Sequence, residues 1–395
     1  MSNRREVFVV SALRTPIGTF GGSLRDVPLA DLATLVMKTA LERSSVPLDS
    51  VGHVALGNVI PTEPRDAYLS RIAAINAGLP EGTPAFNVNR LCGSGLQAVI
   101  SAAQSIMLGD CEIAIGAGAE SMSRGPYLSK AMRWGSRMGD TQMLDYMVGV
   151  LHDPFHGIHM GVTGENVADK YGVTREMMDE LAAASHQRGA RAIADGRFKT
   201  QLVPVEISEK KKLVMFDIDE HVKAATTVAV LNSMKAAFKK DGAVTAGNSS
   251  GVNDGAAALV LASAQAVKDF GLKPLARLVS YGHAGVDPLI MGIGSVPAAR
   301  QALARAGLKV ADLSLIEANE AFAAQACAVS NELDLDPEKV NPNGSGISLG
   351  HPIGATGAII STKAVHELQR IGGRYALATM CIGGGQGIAA VYERA

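Results

Sequence analysis

The sequence predicts an α/β fold of two similar halves, with a region of different character inserted between them. Three observations support this prediction. Strand-like and helix-like segments alternate along the chain, the last third repeats the plan of the first, and the middle differs in composition. Such alternation is typical of a largely parallel sheet with helices packed against it.

The N-terminal third shows the alternation most clearly. Runs of β-branched residues predict strands, and apolar residues at helical spacing predict helices. In chain order we predict a strand at 7–10, a helix at 29–44, a strand at 51–56, a helix at 96–108 and a strand at 112–117.

The last third repeats this plan at a constant offset of 262 residues. Residues 40–43 align with 302–305, and Gly95 aligns with Gly357, each at the start of an apolar helix. One offset that persists over so many positions indicates duplication. We therefore predict a first half over residues 1–120 and 252–273, an inserted region over 121–251, and a second half over 274–395.

Charge and cysteine content exclude several classes of protein. With 37 Lys and Arg against 38 Asp and Glu, the chain is not a polybasic nucleic-acid binder or an acidic disordered chain. Four cysteines without CxxC spacing favour a reduced compartment, and the N-terminus resembles no targeting signal. Residues 91–109 carry no charge, but serines, glutamines and glycines favour a buried helix over a membrane span. We therefore expect a cytoplasmic protein that binds neither nucleic acid nor membrane.

Cys92 is the first candidate catalytic residue, because it stands in a glycine-rich turn just before a helix. Backbone N–H groups at a helix N-terminus lower the pKa of a thiol and favour a nucleophilic thiolate. The layout is similar to the strand–turn–helix nucleophile elbow of hydrolases. The alternative is a small buried cysteine in a tight turn.

Three further motifs contain candidate groups. His351 occupies the equivalent turn of the second half and would pair with Cys92, although it could simply bond the turn backbone. Cys381 follows a predicted strand and precedes glycines such as Gly383, whose N–H groups would suit an oxyanion hole, or the run is only a tight turn. Asn319 stands at a strand-to-helix transition, where it would position a water or cap the helix.

Cofactor motifs are absent from the sequence. His152, His156 and His159 have a spacing that would suit zinc on a helix, but Pro154 and Gly157 interrupt that helix, and no further ligand completes the set. No GxGxxG follows the first strand, and no Walker lysine motif occurs. We therefore predict no metal, no Rossmann cofactor and no nucleoside triphosphate.

Taken together, four blocks resemble the signatures of the thiolase family: NRLCGSG around Cys92, EANEAF around Asn319, GHPIGATG around His351 and CIGGGQG around Cys381. They stand in the family's order and at its separations, and the resemblance covers essentially the whole chain. The chain is most similar to bacterial biosynthetic β-ketothiolases (acetyl-CoA acetyltransferases), including those that supply polyhydroxyalkanoate synthesis.

The resemblance implies a five-layered αβαβα fold and a reversible Claisen condensation of acetyl-CoA with a second short acyl-CoA. Cys92 would take up the acyl group, and His351 would activate it. His351 and a water held by Asn319 would bind the enolate oxygen, while Cys381 would remove the α-proton of the second acetyl-CoA. The N–H groups of Cys92 and Gly383 would hold the acyl oxyanion. Coenzyme A would be substrate and product, with no separate cofactor.

The inserted region would be the loop domain that binds CoA in this family. Positions that match the pantetheine tunnel are Leu151, His159, Phe238, Ala246 and Ser250. Lys223 stands near the expected CoA phosphates, where many relatives have arginine. Residues that match positions near the acyl group are Met160, Met291 and Phe322. Residues 121–146 correspond to loops that join dimers into tetramers, so we expect a homotetramer.

Two alternatives remain at this level. A decarboxylating ketoacyl synthase shares the fold but lacks a base of the Cys381 type. A non-catalytic acyl-CoA-binding relative should have lost Cys92 or His351, and this chain has both.

Overall fold

A computed structural model describes residues 5–395. The strands are β1 (Val7–Arg14), β2 (Gly18–Thr19), β3 (Val51–Gly57), β4 (Ala85–Val88), β5 (Ile113–Ser121), β6 (Tyr127–Leu128), β7 (Leu144–Asp145), β8 (Val205–Glu209), β9 (Lys212–Phe216), β10 (Asn253–Ser263), β11 (Ala276–Gly285), β12 (Leu315–Ala318), β13 (Tyr375–Ile382) and β14 (Gln386–Arg394). The helices are α1 (Leu29–Ser44), α2 (Leu69–Asn76), α3 (Ser94–Leu108), α4 (Tyr146–Val150), α5 (Met160–Tyr171), α6 (Arg175–Ala194), α7 (Val228–Asn232), α8 (Ala264–Asp269), α9 (Ser295–Ala306), α10 (Ala323–Glu332), α11 (Gly346–Leu349) and α12 (Thr356–Ile371).

One mixed sheet runs through both halves of the molecule. Its order is β12-β13-β14-β11-β1-β10-β5-β3-β4, and β2 pairs with β10. The first half contributes β4, β3, β5, β10 and β1, and the second contributes β12, β13, β14 and β11. A short antiparallel pairing of β1 with β11 joins them.

The two halves have the same strand order, and the predicted duplication is visible in it. In the first half β3 pairs parallel with β5, and β5 pairs antiparallel with β10, which pairs antiparallel with β1. The second half repeats this with β12, β13, β14 and β11. The starts of α3 and α12, and those of β5 and β13, are each 262 residues apart.

Helices cover the outer face of each half-sheet and also lie between the two half-sheets, which gives five layers. Helix α1 covers one face of the first half-sheet, and α9 covers the corresponding outer face of the second. Helices α3 and α12 pack against each other and contact strands of both halves, so they form the middle layer. The predicted αβαβα arrangement is confirmed.

The two helices of the middle layer, α3 and α12, pack closely because they contact each other at glycines. A Cβ on Gly357 would lie 2.1 Å from the backbone nitrogen of Leu96, and one on Gly95 would lie 2.8 Å from that of Ala358. No larger residue fits at either position, so the helix N-termini approach each other directly. The turns that precede these helices carry Cys92 and His351. By length and apolar composition Leu91–Leu108 is one helical stretch that could cross a membrane; here it lies within the core.

Residues between β5 and β10 form a layer of helices and short hairpins over the core. One anchor of this region is a fully buried ion pair, in which Arg14 of β1 donates to both carboxylate oxygens of Asp219 at 2.7 and 2.9 Å. Next to it, the Glu220 carboxylate accepts hydrogen bonds from the backbone and hydroxyl groups of Thr19 and Ser23. These contacts fix the segment that leads to Lys223.

Candidate active site

Cys92 lies in a tight turn between β4 and α3. Leu91 adopts a left-handed conformation with φ of 47°, which is unusual for a residue with a branched side chain. The Ser94 hydroxyl donates to the Leu91 carbonyl at 2.6 Å and accepts from the Arg90 N–H at 2.8 Å. The Asn89 side chain accepts the Leu91 N–H at 2.9 Å. These bonds hold the chain in the strained turn, so the region has the predicted strand–turn–helix form.

The state of the Cys92 thiol differs from the expectation of a lowered pKa. Burial raises the pKa of Cys92, and the nearby Glu120 raises it further. Hydrogen bonds from the backbone N–H groups of Gly383 and of Cys92 itself partly offset this rise in the pKa. Desolvation therefore outweighs the favourable position before the helix, and the thiol needs a base. Two N–H donors already converge on the sulfur to which an acyl group would be attached.

His351 is held at several points. Its backbone N–H donates to Asn253 Oδ1 at 2.9 Å, and its ring Nδ1 lies 2.7 Å from Thr356 Oγ1. On the other side of the ring, Nε2 lies 3.5 Å from the side-chain nitrogen of Asn319. Burial lowers the pKa of His351 to about 4, so the ring is neutral near pH 7 and can accept a proton.

Asn319 joins the second half-sheet to the site. Its backbone N–H donates to the Thr379 carbonyl of β13 at 3.0 Å. Its side-chain Oδ1 is buried and has no hydrogen-bond partner within residues 5–395. The following helix begins at Ala323, so Asn319 does not cap it. An unpaired buried oxygen needs a partner such as a water or a substrate, which favours the water-positioning alternative.

Cys381 does not follow the strand as predicted but lies within β13, which ends at Ile382, two residues later than the predicted end at Met380. Its backbone pairs with Gly387 of β14, and the side chain is buried. Burial raises the pKa of Cys381 strongly, and its proximity to Cys92 raises the pKa further. Gly383 follows the strand and is the donor to Cys92. The structure therefore brings Cys92, Cys381 and Gly383 together.

A network of buried polar groups behind Asn319 was missed from the sequence. Glu320 accepts hydrogen bonds from Ser185 at 2.6 Å and from Asn341 at 2.9 Å. Glu317 forms a buried ion pair with Lys363 at 2.7 Å. Both glutamates lie within the EANEAF block, so the block itself was the available signal. They fix the backbone on either side of Asn319.

Glu120 was missed as well. Its buried carboxylate accepts N–H bonds from Val59, Ile60 and Gly354 and from the side chain of Asn58. Burial raises the pKa of Glu120 to about 8. The carboxylate connects the turn after His351 to the loop after β3. No sequence motif around Glu120 predicts these contacts.

The expected tunnel positions form a chain of contacts. The rings of His159 and Phe238 stack with centroids 4.8 Å apart, and Phe238 meets Phe322 edge-on at 6.1 Å. The carbonyl of Leu151 accepts the N–H of Met160 at 2.8 Å. Leu151 packs in the same small cluster as Cys92. Leu151 and Cys92 therefore pack against one common group of apolar side chains.

The three residues expected near the acyl group belong to one buried cluster. Met160, Met291 and Phe322 share a buried cluster with Cys381. A Cβ on Gly383 would lie 3.1 Å from the Met160 methyl group. Met160 therefore lies directly against Gly383.

The remaining predicted CoA contacts differ in position. Ser250 donates its N–H to the carbonyl of Ala321 at 2.9 Å, next to Phe322, while Ala246 is exposed in the preceding turn. Lys223 is exposed, and its backbone N–H donates to His186 at 3.1 Å.

The three histidines considered for zinc have other neighbours. His156 Nδ1 bonds Asp153 at 2.9 Å, and His152 Nδ1 bonds the Val148 carbonyl at 2.9 Å. His159 accepts the N–H of Gly161 at 3.0 Å. Across residues 5–395, no group of three or more His, Cys, Asp or Glu is arranged as a metal site.

Comparisons with known proteins agree with this geometry. The family model described as "Thiolase, N-terminal domain" matches residues 7–265, and "Thiolase, C-terminal domain" matches 272–394. The chain is 63% identical over 391 residues to the β-ketothiolase BktB of Cupriavidus necator, covering 99% of each chain. It is 49% identical to the acetyl-CoA acetyltransferase of Escherichia coli, covering 98% of each.

Solved structures of thiolases and acetyl-CoA acetyltransferases are also similar to this chain over nearly its whole length. The acetyl-CoA acetyltransferase of Bacillus anthracis superposes with a TM-score of 0.97 at 47% identity and 99% coverage of both chains. Human mitochondrial 3-ketoacyl-CoA thiolase in complex with CoA superposes with a TM-score of 0.96 at 44% identity, covering 99% of this chain and 98% of that one. The chain therefore belongs to the thiolase family.

Proposed function

We propose that this protein is an acyl-CoA C-acyltransferase of the β-ketothiolase type. It condenses acetyl-CoA with a second acetyl-CoA or a short acyl-CoA, and it releases 3-ketoacyl-CoA and CoA in a reversible ping-pong reaction. The observation that carries the proposal is the closeness of two thiols, since the partly exposed Cys92 raises the pKa of the buried Cys381. The neutral His351 lies in the turn before α12, which packs against α3. A hydrolase needs one nucleophile, whereas a Claisen condensation also needs a base at the α-carbon.

In the first half-reaction, Cys92 attacks the thioester carbonyl. The raised pKa keeps the Cys92 thiol protonated, so its attack needs a base, and the neutral His351 takes the proton on the Nε2 lone pair as the new C–S bond forms. The N–H groups of Cys92 and Gly383 stabilise the oxyanion. The C–S bond to CoA then breaks, and the departing thiolate takes the proton of the Cys381 thiol. An acetyl-Cys92 and a Cys381 thiolate remain.

In the second half-reaction, Cys381 removes a proton from the α-carbon of acetyl-CoA. Protonated His351 and a water held by Asn319 Oδ1 stabilise the enolate oxygen. The α-carbon attacks acetyl-Cys92, the C–S bond to Cys92 breaks, and His351 returns the proton to Cys92. These steps involve no oxidation or reduction. CoA is substrate and product rather than a resident cofactor.

The CoA contacts that support this reaction belong to residues 121–251, which we propose as a loop domain between the halves 1–120 with 252–273 and 274–395. The stacked His159 and Phe238 line the pantetheine path together with Leu151, Ala246 and Ser250. Met160, Met291 and Phe322 face the acyl group. Lys223 is exposed on the same region, where its charge suits the CoA phosphates.

The direct test compares wild type with Cys92→Ala in CoA-dependent cleavage of acetoacetyl-CoA. The variant should lose at least about 10³-fold in rate, because the covalent route disappears. Mass spectrometry after exposure to acetyl-CoA should find a labile acetyl group on Cys92 of the wild type only. The matched control is Cys111→Ala, which removes a half-buried thiol far from the site. Full activity in the Cys92→Ala protein would refute the mechanism.

A decarboxylating ketoacyl synthase is the second candidate considered. It would not need a thiol at the α-carbon, and Cys381 beside Cys92 therefore argues against it. Consumption of malonyl-CoA with release of carbon dioxide, in the absence of acetoacetyl-CoA cleavage, would favour that alternative.

We also propose that the chain assembles into a homotetramer through residues 121–146. This segment exposes large apolar side chains, including Trp134 at 90% and Met138 at 93% exposure, and such groups mark interaction surfaces. Replacing both with serine should leave dimers in light scattering at micromolar concentration. Serine at the exposed Leu213 of the β8–β9 hairpin is the control. Unchanged tetramers in the double variant, or dimers in the wild type, would contradict this assignment.

A further inference from the structure

The ring of His351 makes two polar contacts on opposite edges. Nδ1 lies 2.7 Å from Thr356 Oγ1, and Nε2 lies 3.5 Å from the amide nitrogen of Asn319. Thr356 is the first residue of α12 and is buried. Because the ring is neutral, one proton has to be placed on one of these two nitrogens.

The hydrogen-bond pattern places that proton on Nδ1. The Asn319 amide nitrogen is a donor and faces Nε2, so Nε2 must offer its lone pair. Nδ1–H then needs an acceptor, and Thr356 Oγ1 is the atom at hydrogen-bond distance. The Thr356 hydroxyl can accept because its own hydrogen points to the Pro352 carbonyl at 2.9 Å. The chain from Nδ1–H to Oγ1–H to the carbonyl is consistent at each step.

We propose that Thr356 is a positioning residue whose hydroxyl oxygen accepts the Nδ1–H of His351, so that Nε2 is the ring atom that takes the proton from Cys92. The proposal rests on the function proposed above, since it specifies how His351 serves as the base. After the transfer, Nε2–H and the Asn319 amide are both donors, so the long contact between them is given up and Nε2–H bonds the substrate oxygen. Thr356 continues to hold Nδ1–H. The proton leaves Cys92 Sγ and binds Nε2, and no further reactant is needed.

The consequence of losing the hydroxyl oxygen follows from this pattern. Valine has nearly the shape of threonine but no acceptor, so Nδ1–H would be buried without a partner. The ring would then favour the tautomer with its proton on Nε2, which cannot accept the Cys92 proton. A base in the wrong tautomer costs a large part of general-base catalysis, which contributes about 10²–10⁴-fold.

The test compares Thr356→Val with Thr356→Ser, which keeps the hydroxyl. Thr356→Val should lower kcat for acetoacetyl-CoA thiolysis by about 10–100-fold, with KM changed by less than about threefold. It should slow alkylation of Cys92 by iodoacetamide at neutral pH by a similar factor. Thr356→Ser should restore both rates to within about threefold of the wild type.

Thr362→Val is the matched control. Thr362 is buried in the same helix, and its hydroxyl has no hydrogen-bond partner within residues 5–395. The same change of side chain there should leave kcat and alkylation unchanged. If Thr356→Val does not fold, Thr356→Ala removes the acceptor without the added methyl group and should show the same losses.

Wild-type kcat and alkylation in Thr356→Val would overturn the proposal, as would a Thr356→Ser protein that is as slow as Thr356→Val. The alkylation rate needs no CoA substrate, so it tests Thr356 separately from the overall reaction. A wild-type protein without thiolysis would refute the proposed function, while a selective loss of Cys92 alkylation in Thr356→Val would still support the role of Thr356.

Discussion

Cys381→Ala should abolish the condensation of acetyl-CoA and still allow Cys92 to be acetylated. Removing a general base costs about 10²–10⁴-fold, and Cys381 is the thiol placed beside the acyl-enzyme. CoA thiolate is a good leaving group and can take its proton from water when the Cys381 thiol is absent. Cys92, Gly383 and His351 remain in place, so the first acyl transfer should slow by about tenfold at most. Mass spectrometry reports acetyl-Cys92, and coupled assays report acetoacetyl-CoA.

A second measurement isolates the proton transfer itself. Wild type should exchange the α-hydrogens of acetyl-CoA for deuterium in D₂O, and Cys381→Ala should not. Cys327→Ala is the matched control, because Cys327 is also buried and its pKa is also raised by burial, but it lies apart from the catalytic thiols in a contact with the Met177 carbonyl. Normal condensation in Cys381→Ala, or an equal loss of acetylation and condensation, would contradict the role assigned to Cys381.

The architecture was predictable because the two halves of the chain repeat the same order of strands and helices. The 262-residue offset aligns the N-termini of α3 and α12, and it pairs Gly95 with Gly357, the two glycines at which these helices contact each other. Close packing of the two helices requires a glycine at the equivalent position of each half, so this requirement is visible twice in the sequence. Helix α1 was also predicted with its observed ends, because its apolar residues recur at helical spacing.

The electrostatics of the site were less predictable. A helix N-terminus is a local feature that the sequence reveals, and it predicts a lowered pKa for Cys92. Burial depends on everything that covers the thiol, and it raises the pKa of Cys92 instead. The position of Cys92 before a helix therefore does not by itself lower the pKa of its thiol, and the role of Cys92 as nucleophile stays a prediction.

Long-range partners were not predictable from spacing. Asn253 binds the backbone of His351 from 98 residues away, and Glu120 reaches Gly354 from 234 residues away. No periodicity links such positions, because the fold alone brings them together. Thr356 is different, since it lies five residues after His351 inside a recognised block, yet its contact depends on the rotamer of the ring.

Arg14→Met should be the most destabilising single change outside the site. Both partners of the Arg14–Asp219 pair are fully buried, and Arg14 also bonds Gln201 at 2.8 Å. Loss of the guanidinium leaves the Asp219 carboxylate buried with the Ile17 N–H as its remaining donor. Breaking a buried pair in this way costs about 3–5 kcal/mol. Urea unfolding at one fixed protein concentration measures the change in the free energy of unfolding.

A second variant distinguishes the free-energy cost of the isolated Asp219 charge from the cost of lost arginine packing. Asp219→Asn in the Arg14→Met background removes the uncompensated charge, so the double variant should recover about 1–2 kcal/mol relative to Arg14→Met. Arg25→Met breaks an exposed pair with Asp26 and should change stability by less than about 0.5 kcal/mol. If the double variant is no more stable than Arg14→Met, the cost arises from the lost packing of the arginine side chain on Phe198 rather than from an isolated charge.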